Sequence, residues 1–136
     1  MIKFKIKNPK KLNDKKINNF FKKLGLADLI DLSNKKGKKV NEMILANPYK
    51  PEIRDLYNLY NYIVLNKRIT VLEFGSGWSS LIIALALDKL KRKYSKKVTN
   101  LRRNNPFELF IVENEKKFLK ITKKKLNNFI KKNNIK

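Results

Sequence analysis

Apolar residues first recur along the chain at helical spacing. Ile17, Phe20, Phe21 and Leu24 fall on one face of a helix that Asn13 or Asp14 can cap and Gly25 can stop. Residues 26–32 read as a second short helical segment, and residues 33–39 as a loop. Residues 40–46 suggest another turn or two of helix. Asn47-Pro48-Tyr49-Lys50-Pro51 must then be extended, because the residue before each proline is pushed out of the α region. Pro51 suits the first position of the next helix, with Glu52 and Asp55 in its positive first turn. Ile53, Leu56, Tyr57, Leu59, Tyr60, Ile63 and Val64 give that helix a wide apolar face. Tyr49, Tyr57, Tyr60 and Tyr62 accordingly read as packing residues rather than as an aromatic cage.

The period then changes. Ile69-Thr70-Val71-Leu72 is short and β-branched, the pattern of a buried parallel strand, and it runs on to Glu73 and Phe74. Gly75-Ser76-Gly77 follows, and an apolar helix is predicted over residues 78–94. Residues 95–106 are polar and basic. A second strand is predicted over residues 107–112, ending at Glu113-Asn114. A last amphipathic helix turns Phe118, Ile121, Thr122, Leu126, Phe129 and Ile130 inward, with a frayed tail over residues 131–136. The chain thus divides into a helical N-terminal region, 1–68, and a β-α-β-α unit, 69–136.

A length of 136 residues is one domain's worth of chain, and 42% hydrophobic residues suffice for a core. The longest apolar run, residues 81–87, is far short of a membrane span. Residues 1–7 alternate charge with apolar side chains, unlike a secretory signal. The absence of cysteine excludes disulfides and thiolate metal sites. The expectation is a soluble cytoplasmic protein with no membrane partner. A net charge of +23 raises nucleic acid as a partner, but residues 1–68 and 69–136 each hold 17 Lys and Arg. Arg, which forks onto phosphates and guanines, occurs only at positions 54, 68, 92, 102 and 103. Solvated lysine faces are therefore favoured over a nucleic-acid surface.

The chemistry concentrates in residues 69–114. A strand, a glycine turn and a helix N-terminus bring bare backbone N–H groups to a ligand's polar end. A right-handed crossover sets the two strands parallel, so Glu73 and Glu113 share one carboxyl edge beside the turn. A carboxylate there can accept hydrogen bonds from both ribose hydroxyls of a nucleoside. The readings against a ligand are a tight turn that needs Gly for packing, a Glu73 paired or capping, and a Glu113-Asn114 that caps the last helix. Without His or Cys, nucleophilic and thiolate chemistry find no support.

Val71-Leu72-Glu73-Phe74-Gly75-Ser76-Gly77-Trp78-Ser79-Ser80 resembles the first motif of class I S-adenosylmethionine-dependent methyltransferases, in the variant where Ser replaces later glycines. Phe110-Ile111-Val112-Glu113 is similar to that family's second motif. The resemblance implies an α/β, partial Rossmann-like methyltransferase fold that binds S-adenosylmethionine. Gly75 and Gly77 would admit the methionine part, Glu73 would hold its ammonium, and Glu113 would take the ribose. Ser79 or Ser80 would face the methionine carboxylate. Ser76 and Asn114 complete the candidate set.

Glu113 lies 36 residues after Gly77, against about 20 in a simple dinucleotide unit. Ser80 also replaces the third glycine of the dinucleotide fingerprint, which favours S-adenosylmethionine over NAD. Family members continue through further strands that choose the methyl acceptor. The expectation is therefore a cofactor-binding fragment or front part, with acceptor and catalytic residues unassigned. The alternatives are a non-enzymatic basic nucleic-acid-binding protein and an NAD-type dinucleotide-binding domain.

Overall fold

The computed structural model describes residues 5–34, 50–101 and 104–132. Five helices and two strands follow in the order α1 (Asp14–Lys23), α2 (Ala27–Asn34), α3 (Ile53–Leu65), β1 (Thr70–Phe74), α4 (Trp78–Val98), β2 (Glu108–Val112) and α5 (Lys116–Lys132). The segments expected at 40–46 and at Asn47-Pro48-Tyr49 lie outside the described residues.

The N-terminal helices form where their end signals lie. Asn13 caps α1, its Oδ1 accepting the Lys16 N–H at 3.0 Å, and Gly25 at φ +74° ends it in the left-handed region. Helix α2 absorbs Ser33 and Asn34, which the sequence assigned to a loop. Helix α3 begins at Ile53 instead of Pro51, because Glu52 remains extended (φ −90°, ψ 98°) and caps the helix through its carbonyl. Phe20 meets Phe21, Tyr57 and Tyr60 edge-on, with ring centroids 5.1–5.2 Å apart, an arrangement aromatic quadrupoles favour. Tyr57 and Tyr60 are buried packing residues, as their spacing indicated.

Helix α4 is the hub. Leu81, Ile82, Ile83, Leu85, Ala86, Leu87 and Leu90 are buried around most of its circumference, the signature of a helix covered on several sides. It packs against α3 along one side and against α5 and both strands along others. It also runs a turn past the predicted end, to Val98, because the Val98 side chain is itself buried in the core. One continuous core joins residues of α1, α2, α3 and α4, so regions 1–68 and 69–136 are packed as one unit.

β1 and β2 pair in parallel, with Leu72 opposite Phe110 and Phe74 opposite Val112. The chain is therefore a mixed α/β protein with a two-stranded parallel sheet and the β-α-β-α order expected from residue 69 onward. The expectation of a buried strand fails. Val71, Glu73, Leu109 and Ile111 face α4 and are half-buried, whereas the alternate positions point away and are exposed. Leu72 is 56% exposed and Phe74 79%. A parallel strand needs cover on both faces, and among the described elements α1 and α2 gather on α3, and α3 on α4, with none of the three on the sheet. Helix α5 is also looser than predicted. Thr122 is its one buried residue, and Ile130, expected inward, is exposed.

Candidate functional site

The sheet and α4 meet at the turn Gly75-Ser76-Gly77. Its entry is fixed by the Gly75 N–H, which donates to the Val112 carbonyl at 2.7 Å and ties the end of β1 to the end of β2. Gly75 sits at φ +91°, a conformation that only glycine adopts without strain. Gly77 at φ 176° is extended and makes no such demand. A Cβ placed on either glycine meets no heavy atom within 4 Å. Close packing inside the chain thus explains neither glycine, and the space above both is open.

Both candidate carboxylates reach this turn. Glu73 accepts hydrogen bonds from the Ser79 and Ser80 hydroxyls, one on each carboxylate oxygen, with Ser80 Oγ at 2.6 Å. Ser80 is fully buried, and its Oγ also accepts the Gly77 N–H at 3.1 Å. One serine therefore links the strand's acid to the helix start. Ser79 and Ser80, expected to face a ligand carboxylate, both turn their hydroxyls to Glu73 here. Gly77, the N-cap of α4, has no side chain with which to satisfy the first-turn N–H groups.

Glu113 stands on the opposite rim. Its Oε2 accepts from the Ser76 hydroxyl at 2.8 Å, and its Oε1 accepts the Glu115 N–H at 3.0 Å. The Glu115 N–H chiefly holds its pKa below the ordinary glutamate value. The Ser76 hydroxyl adds to this, as do, more weakly, the Ser76 and Asn114 N–H groups, while desolvation opposes them. The carboxylate is ionised at neutral pH. The capping and ligand readings of Glu113 converge here, since one oxygen steadies the approach to α5 while the other meets the turn. Asn114 is exposed beside it.

One neighbour of the turn was not legible in the sequence. The Lys125 ammonium of α5 lies 3.6 Å from the centre of the Trp78 ring, and burial lowers its pKa. This contact pins α5 to the first residue of α4, next to Gly77. The half-buried Trp78 ring carries this cation. A spacing of 47 residues carries no local signal for such a pair.

Among the described residues, no helix is long and apolar enough to cross a membrane, and no cluster of His, Cys, Asp or Glu could hold a metal ion. Compared with protein-family models, curated proteins and solved structures, the chain finds no match.

Proposed function

We propose that this chain binds S-adenosylmethionine over the Gly75–Gly77 turn and forms the cofactor-binding part of a class I methyltransferase. The observation that carries the reading is the open space above both glycines, flanked by an ionised Glu113 and by the start of α4, whose N-cap residue Gly77 has no side chain. Its residues suit the cofactor's chemistry. Glu113 has lone pairs for two ribose hydroxyls, with Ser76 moving aside or sharing the carboxylate. The first-turn N–H groups of α4 suit the methionine carboxylate, which the helix dipole favours. Glu73, held by two serines, sets a negative charge beside the turn for the methionine ammonium.

The bound cofactor would supply a methyl group on a sulfonium, ready for in-line displacement. The chain's own contribution is to orient it and to exclude water from one side. The methyl acceptor is chosen by surfaces that these residues do not define.

The test is titration with S-adenosylhomocysteine and, separately, with NADH, following the emission of Trp78, the chain's only tryptophan. A saturable response to S-adenosylhomocysteine alone supports the reading. Saturation by NADH alone would replace it with dinucleotide binding.

A further inference from the structure

Charge is distributed more evenly along the sequence than in space. Glu73, Glu108, Glu113 and Glu115 gather at the sheet. Helix α5 carries eight lysines and no acid, and the second half of α4, from Asp88 on, carries six cations against that single aspartate. The side of the molecule built by these two stretches thus carries fourteen cations and one acid.

A groove of about 610 Å³ opens on that side, where α1, α3, α4 and α5 meet. Lys23 enters it from the end of α1, and Lys89, Arg92 and Lys93 from successive turns of α4. Its apolar lining includes Leu24 and Leu85. The buried Tyr60 ring forms part of the wall and lies 5.7 Å below the Lys89 ammonium. Asp88 is the one acid in the lining, and Arg92 pairs with it at 2.9 Å, which leaves three lysines uncompensated by any carboxylate of the groove. Lys131 and Lys132 follow just beyond Phe129, the α5 residue at the groove's edge.

We propose that this groove binds the sugar-phosphate backbone of a single-stranded nucleic acid. Phosphates would meet the three lysines, and the sugars would lie along the apolar lining. A lipid surface fits less well. The cations ring a concavity, and the exposed apolar residues Leu72 and Phe74 lie on the far face of the sheet, so one flat bilayer cannot engage both. The proposal stands independently of the cofactor site and uses none of its residues.

The test is fluorescence anisotropy of the full chain with a short labelled single-stranded oligonucleotide over a range of salt. Lys23→Glu/Lys89→Glu/Lys93→Glu is compared with Lys5→Glu/Lys10→Glu/Lys11→Glu, which changes net charge equally on exposed lysines elsewhere. The groove variant should weaken binding by at least about tenfold and flatten the salt slope by about 2, as expected for three lost single-strand phosphate contacts. The control should lose less than about threefold. Circular dichroism checks the fold, and Lys89→Gln/Lys93→Gln provides a milder variant that should still weaken binding more than the control. Equal losses in both charge-reversal variants would overturn the proposal, as would competition by polyglutamate matching that of unlabelled oligonucleotide. Groove-dependent binding that is tighter to phosphatidylserine vesicles than to nucleic acid would overturn it in favour of a lipid.

Discussion

The two faces of the sheet live in different solvents. One rests on α4, whose Ile82 and Ala86 are wholly buried, while the other presents Leu72, Phe74, Phe110 and Val112 to water. The strands contribute little to a core that α3 and α4 already close, so their fixed geometry comes from one side only. The candidate turn lies at the seam between the two. Its two acids divide along the same line. Glu73 is drawn toward α4 by buried Ser80, and Glu113 stands on the rim with one oxygen toward Ser76.

The contrast breaks most easily in the core. Ile82→Ala should lower unfolding stability by about 2–5 kcal/mol, because it removes a large side chain with no water to refill the gap. Phe74→Ser on the open face should change stability by no more than about 0.5 kcal/mol. Urea denaturation of both variants checks this, and comparable losses would mean that the outer face is covered after all.

A smaller effect sharpens the difference between the acids. Ser80→Ala should cost about 1–2 kcal/mol, since it strips a buried hydrogen bond from Glu73 and another from the Gly77 N–H. Ser76→Ala, facing the open rim, should leave the denaturation midpoint almost unmoved.

The smallest effect concerns pH. The folded pKa of Glu113 is depressed, so its contribution to stability is complete above the ordinary glutamate value. That contribution disappears as pH falls through the lower folded value. Carbon-detected NMR titration of the Glu113 carboxyl should give a midpoint below those of exposed glutamates, and Ser76→Ala should raise it. A midpoint at or above the ordinary value would mean that the Glu115 and Ser76 hydrogen bonds do not persist in solution.

Much of this arrangement was legible because local chemistry dictates it. Asn13 and Gly25 mark the ends of α1, and the change from helical to strand spacing at Ile69 announces β1. The shared carboxyl edge of Glu73 and Glu113 follows from parallel pairing of the strands that carry them. The bare face of the sheet was not legible. Leu72 and Phe74 alternate with Val71 and Glu73, and a pattern apolar on both sides says that cover is needed, not whether it is there. The target of Ser79 and Ser80 was missed for a similar reason. A serine at a helix start can serve its own backbone, a ligand or a neighbouring acid, and only the placement of β1 beneath α4 selects Glu73. The lysine groove joins residues more than 60 positions apart, so it belongs to tertiary structure alone.

The central claim is that the space over Gly75 and Gly77 exists for a nucleoside cofactor. Isothermal titration with S-adenosylhomocysteine tests it on the wild-type chain and on Gly77→Ala and Glu113→Gln. A methyl group at Gly77 meets nothing in the protein, so the fold should survive while an approaching ligand loses about 1–3 kcal/mol. The account predicts saturable binding to the wild type and a clear loss of affinity in both variants, with unchanged denaturation curves. Binding that is absent from the wild type, or equally strong in all three proteins, would contradict it.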